Sequence, residues 1–156
     1  MMIDVVNLQR KIKLDLAPIR AFVADLSASV EEAANATFTV AFIGDGRMKQ
    51  LNELFRQKNT TTDVLSFPHE PDDFAGSTDF SRQPPEGGTP SPIFLGDIVI
   101  SAEQAQKQAA ENDLSLDAEI KQLILHGLLH LCGHDHETDN GEMNTRELQL
   151  REQLKI

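Results

Sequence analysis

One cysteine, Cys132, stands alone in 156 residues, so no internal disulfide can staple this chain and a reducing compartment is expected. No apolar run is long enough to cross a bilayer, and no charged-then-apolar leader opens the sequence. A soluble, cytoplasmic protein is the expectation. Positive charge is scarce: 14 lysines and arginines face 25 acids, for a formal net charge of −11. That balance argues against a nuclease that grips nucleic acid through a broadly basic surface. Only a bound cation, with a few basic side chains at one cleft, could reverse the potential locally. There is no G-x-S-x-G elbow, so Ser66 reads as a strand residue in or near a site, not as a nucleophile.

Histidine is also rare, but it is concentrated. Four of the five histidines fall in His126-Gly127-Leu128-Leu129-His130-Leu131-Cys132-Gly133-His134-Asp135-His136. On a helix the spacing of His126 and His130 stacks two imidazoles one turn apart on one face. Two nitrogens so placed can hold one metal ion. Gly133 ends the helix and turns the chain, which lets His136 return towards the same ion. At about 100° per residue, Ile120, Ile124, Leu128, Leu131 and Cys132 gather opposite the histidines, flanked by Leu125. Cys132 therefore faces away, against a cysteine-containing structural zinc site. Packed or solvated histidines on an amphipathic helix would explain one such residue better than this group.

Three protein ligands leave one tetrahedral position open, the arrangement of catalytic zinc. Water bound there has its pKa lowered from about 15.7 to about 7. Neutral imidazoles suit zinc, though other divalent metals accept nitrogen too. A zincin peptidase carries a glutamate base directly after its first histidine. Here that place is Gly127, which cannot relay a proton. Asp135 either orients a ligand histidine or caps the turn.

The length fits one domain with its own core, and an apolar content of 40% is ordinary. Residues 2–8 read as a strand. A helix is expected from about Leu16 to Ala33, capped by Asp15, with Pro18 in its first turn. Thr37 to Ile43 alternates, with Phe38, Val40 and Phe42 on one side of a strand. Gly44-Asp45-Gly46 turns the chain, with Asp45 as cap of a helix from about Arg47 to Lys58. Further strands are expected at Asp63–Phe67 and Gly96–Ile100. Ser101 and Gln104 form a capping box on a helix that ends near Asn112. Ser115 caps the histidine helix, and a last helix begins at Thr138 or Asp139, with Met143, Leu148, Leu150 and Leu154 as its apolar positions. Residues 69–94 are rich in proline, glycine and acids, and read as a flexible insertion; His69 gets no role. The fold expected is α/β: a single domain, residues 1–156, with a mixed four-stranded sheet packed with about five helices and the metal site on a helix of the C-terminal half.

The histidine stretch resembles the H-G-x-L-H-L-x-G-aromatic-D-H signature of the YbeY family of bacterial endoribonucleases. Leu51-Asn52, Arg56 and Thr62-Asp63-Val64-Leu65-Ser66-Phe67-Pro68 match further family segments, as does Gly96-Asp97-Ile98. The resemblance covers nearly the whole chain except the insertion, which is longer than the family pattern. It implies a metal-dependent, single-strand-specific endoribonuclease acting in ribosomal RNA maturation, at the 3′ end of the small-subunit rRNA, and in ribosome quality control. It implies His126, His130 and His136 as ligands of one zinc or other divalent ion. His134 stands where the family has an aromatic residue, and His136 matches the ligand position. Arg56 takes a catalytic role on the same ground; by itself it reads as a helix-end arginine. The implied partners are ribosomal RNA, the small ribosomal subunit and ribosome-assembly proteins, with no membrane and no DNA. Given the acidic charge, weak non-specific RNA affinity is expected. The competing readings are a metal-dependent peptidase or phosphoesterase, and a non-catalytic ribosome-assembly factor.

Overall fold

The computed structural model describes residues 4–34, 36–69, 93–134 and 140–156. Four strands, β1 (Asp4–Asn7), β2 (Ala36–Ile43), β3 (Val64–Pro68) and β4 (Ile93–Ser101), form one sheet in the order β1-β2-β4-β3. β1 and β4 flank β2 in parallel, and β3 runs antiparallel to β4. Five helices accompany them: α1 (Leu16–Ser29), α2 (Asp45–Arg56), α3 (Ala102–Glu111), α4 (Leu116–Leu131) and α5 (Glu142–Leu154). The expected α/β class, mixed sheet and helix number are all present.

Strand alternation divides the core between the two sheet faces. Phe38, Val40 and Phe42 of β2, with Ile98 and Ile100 of β4, meet α1, α4 and α5 through Leu26, Leu128, Met143 and their neighbours. The opposite face is smaller: Ile43, Leu65 and Val99 pack under Met48 of α2. The sheet is thus covered on both sides, and α4 lies in the larger layer.

Several boundaries differ from the sequence reading, each for a local reason. α1 stops at Ser29, where Val30 leaves the helical region, and a 3-10 turn covers Glu31–Ala33. The final helix starts at Glu142 behind Gly141, whose φ of 101° breaks the helical run; Thr138 and Asp139 lie outside the described residues. The insertion read as 69–94 is shorter at its far end, because Ile93 and Phe94 pair with Ala36 and Thr37 as the start of β4. Residues 70–92 lie outside the described residues.

Asp45 is not the cap of α2. Gly44 occupies that position, and the Glu103 carboxylate accepts the Asp45 backbone N–H at 3.1 Å instead. The Asp45 carboxylate is turned to the rest of the fold. It accepts from Ser101 Oγ at 2.7 Å, Gln104 Nε2 at 2.9 Å and Thr61 Oγ1 at 3.0 Å. Burial alone would raise its pKa, but these three donors hold it below the ordinary value. The capping box of α3 is consequently half made. Ser101 Oγ accepts the Gln104 N–H, while the Gln104 side chain goes to Asp45 and the Ser101 N–H to Asp63 O.

β4 carries one extra residue against β2: Thr37 faces Phe94, but Thr39 already faces Asp97. Gly96 sits in this bulge with φ 137°, and a Cβ there would lie 2.2 Å from Phe67 O. Gly96→Ala is expected to cost about 2–3 kcal/mol of stability through strain and overpacking. Chemical denaturation measures this, and a wild-type midpoint would mean that the bulge is not confined to glycine.

Glu32, in the 3-10 turn, ties this end of the molecule together. Arg146 of α5 grips both its oxygens, with Nη2 to Oε1 at 2.6 Å and Nε to Oε2 at 2.9 Å, and His134 Nε2 lies 3.2 Å from Oε2. Chiefly through the Arg146 hydrogen bonds, against opposition from burial and with a lesser pull from His134, the Glu32 pKa falls from 4.5 to about 2. A depressed carboxyl stabilises the fold above its unfolded pKa and loses that contribution as pH falls through the folded one. The stability gap between wild type and Arg146→Ala should therefore be full above about pH 4.5 and shrink towards pH 2. Denaturation across that window by circular dichroism checks it; a gap that does not narrow with acid rules the coupling out.

Candidate metal centre and its cleft

α4 begins at Ser115, whose Oγ accepts the Ala118 N–H at 3.1 Å. Asp117 in its first turn pairs with Lys121, one turn on. Glu119 is buried and accepts from Asn112 Nδ2 at 2.9 Å. The helix is enclosed on more sides than its sequence pattern implied, since Leu123 and Leu129 are buried along with Ile120, Ile124, Leu125, Leu128 and Leu131. Among the positions left half-buried is a stripe of Gln122, His126 and His130 at four-residue spacing.

Gly127 sets how closely α4 approaches the sheet. A Cβ there would meet Ile98 at 2.8 Å and Ser66 Oγ at 3.2 Å. Ser66 Oγ also donates to Gly127 O at 3.2 Å, so β3 is tied to the middle of the histidine helix. No glutamate fits at this place without lifting the helix off β4. That gives a steric reason, beside the chemical one, why the zincin arrangement is absent.

His126 and His130 converge. Their Nε2 atoms are 3.2 Å apart, and their rings meet edge to face at 4.8 Å. Two nitrogens bound tetrahedrally at 2.0–2.1 Å are separated by about 3.3 Å, so the pair has the spacing of two ligands on one ion. Glu147 of α5 lies behind His126, with Oε1 2.7 Å from Nδ1. A carboxylate accepts, so Nδ1 carries the proton and the Nε2 lone pair of a neutral His126 faces His130. Burial pushes the Glu147 pKa up, but the His126 hydrogen bond, with the Arg151 guanidinium beside it, outweighs this, and the net shift is downward. Glu147 is thus an acid kept ionised inside the core layer.

Among the described residues, no group of three His, Cys, Asp or Glu side chains comes together as a metal site. His136, the third predicted ligand, lies outside the described residues, as does Asp135. His134 is described; it is engaged with Glu32 and also lines the cleft that holds His126 and His130. Cys132 packs against the core, its thiol pushed up to about 11 by burial and, secondarily, by Glu32. It is a poor source of thiolate.

Arg56 is the last residue of α2, exposed, just before Gln57 takes a left-handed conformation. It lines a cleft of about 700 Å³ that also contains His126 and His130 and follows β3 from Val64 to Pro68. Asn52, one turn earlier on α2, is buried, and its amide donates to Thr60 O at 2.8 Å. Asn52 therefore fixes the segment between α2 and β3 while Arg56 reaches the cleft. A second, polar cleft of about 540 Å³ shares His126 and Asp63 with the first and is lined by Gln108, Gln122 and Arg151.

Glu147 was not found from the sequence, although a signal existed. Met143, Glu147, Leu150 and Leu154 recur at helical spacing, so an acid occupies a core position. Leu148, assigned to the apolar face, is 53% exposed.

Comparison with known proteins gives the chain its family and supports its fold. The family model described as "Endoribonuclease YbeY" matches residues 4–155. Curated relatives named Endoribonuclease YbeY include that of Nautilia profundicola, 46% identical over 72% of this chain and 68% of its own length. The Picosynechococcus protein is 39% identical over 80% of this chain and 73% of its own, and that of Thermodesulfovibrio yellowstonii 31% identical over 90% and 87%. A solution structure from Thermotoga maritima superposes with a TM-score of 0.58 at 24% identity, covering 95% of this chain and 85% of that one, and supports the fold. With its α/β fold, its histidine helix and a family match from end to end of the described strands and helices, this chain belongs to the YbeY endoribonuclease family.

Proposed function

We propose that this protein is a metal-dependent endoribonuclease that hydrolyses phosphodiester bonds in single-stranded RNA. The observation that carries the reading is the convergence of His126 and His130 Nε2, with Glu147 behind them, in a cleft that Arg56 also lines. His126, His130 and His136 would hold one zinc or similar divalent ion. Such an ion, when bound, supplies Lewis acidity and a water acidified to near neutrality. The chain's own residues do the rest. Glu147 holds His126 in the tautomer that offers Nε2. The Arg56 guanidinium binds a phosphodiester oxygen in the cleft and stabilises the negative charge that grows there during attack. Ser66 and Gly127 hold β3 against α4, so the cleft wall and the histidines keep one spacing.

Ribosomal RNA is the substrate class that fits the family, with the 3′ end of the small-subunit rRNA as the place of action and ribosome quality control as the setting. The small ribosomal subunit and assembly proteins are the partners, and the cytoplasm the compartment. No helix among the described residues is long and apolar enough to cross a membrane. A net charge of −11 fits a nuclease brought to its RNA by such partners. The zincin-peptidase alternative loses ground at Gly127, where the base would stand.

A labelled RNA with single-stranded and duplex segments tests the reading. Wild type should cut the single-stranded parts; chelator and His126→Ala should each abolish cutting. Arg56→Ala should retain the fold and lower kcat by about 10²–10³-fold, the usual loss for one charge-stabilising donor. Cleavage untouched by chelator and by His126→Ala removes the metal from the mechanism. Glu147→Gln should weaken zinc binding by about 10–100-fold. Competition with a chromophoric chelator reads this directly, and unchanged affinity would deny Glu147 its part.

A further inference from the structure

One wall of the cleft carries an aromatic ring in an unusual position. Phe22, Phe38 and Phe42 are buried, whereas Phe55, next to Arg56 at the end of α2, is 60% exposed. Its ring meets Phe67 of β3 edge to face, with centroids 5.1 Å apart and planes at 72°. A T-shaped pair covers only one face of one ring, so flat aromatic surface remains uncovered. Both phenylalanines line the cleft that holds Arg56, His126 and His130. β3 is an outer strand of the sheet, paired with β4 alone among the described residues, so the cleft is open along its length.

We infer that Phe55, backed by Phe67, is a stacking platform for an unpaired nucleobase next to the scissile phosphate. The inference rests on the endoribonuclease reading above. Charge favours it. A chain at −11 gains little from phosphates at long range, so its direct contact with RNA is strengthened by a term that does not depend on charge. Base–aromatic stacking is such a term, and it accepts every base because each has a π-face. It also selects strandedness, since a base held inside a duplex has no free face to offer. Phe55 therefore accounts for single-strand preference without base-specific contacts, and binding should depend only shallowly on salt.

The chain contains no tryptophan and no tyrosine, so Phe55→Trp introduces a sole fluorescent reporter. On rapid mixing with single-stranded RNA its emission should be quenched, and with duplex RNA it should not. Phe55→Ala should fold normally by circular dichroism and lose about 5- to 100-fold in kcat/KM, while Phe55→Tyr and Phe55→Trp stay near wild type. RNAs with one abasic site moved stepwise along the strand complete the test. At one position the missing base should penalise wild type but not Phe55→Ala. If Phe55→Ala cuts like wild type, or if the abasic profile is the same for both proteins, the platform is refuted and the exposed ring is left for a protein partner. Those outcomes leave the metal site standing if His126→Ala is inactive. An active His126→Ala overturns the site reading itself, whatever the Phe55 variants do.

Discussion

The close contact at Gly127 is the constraint on which the rest depends. A helix that presents two histidines to solvent on one side and a full apolar surface on the others must be pressed against the sheet to be stable. The absence of one side chain, against Ile98 and Ser66, makes that approach possible. With α4 seated at this depth, His126 comes within reach of Glu147 on α5, and the histidine stripe opens onto the edge of β3. A longer residue at 127 would disturb the cleft wall and the placement of the histidine pair against it together.

Polar side chains hold the remaining pieces at fixed distances. Asp45 joins the start of α2 to the segment before β3 and to the start of α3. Asn52 pins the same segment to α2 from within. Arg56 and Phe55 therefore stand on a helix end braced on two sides. At the opposite end Glu32 binds Arg146 and His134, fixing α5 beside the turn that follows α4. The Asp45 network steadies the segment that leads into the cleft wall, and the Glu32 network holds His134, which itself lines the cleft.

The sequence made the histidine helix readable because four-residue spacing and an apolar surface leave few alternatives for such a segment. Phe38, Val40 and Phe42 declared their strand just as plainly. Legibility fell where a residue's partners lie far along the chain. Asp45 looked like a helix cap because the nearest helix follows it, but its acceptors serve Thr61, Ser101 and Gln104. Glu147 was passed over because an acid between Met143 and Leu150 suggests a solvated face, and Leu148 drew the apolar assignment instead. Gly96 matched a family segment without revealing the bulge, since a register shift is a property of two strands, not one.

The bond between His126 and Glu147 also has a meaning in time. A ribosome makes α4 before α5, so the nascent chain carries its histidine pair while the carboxylate that sets the first imidazole's tautomer is still unmade. Met143 and Leu150 seat α5 in the core on either side of Glu147. The last helix is thus a condition on the site: a chain in which α5 is detached keeps the histidine pair on α4 but leaves His126 Nδ1 without the carboxylate that sets its tautomer.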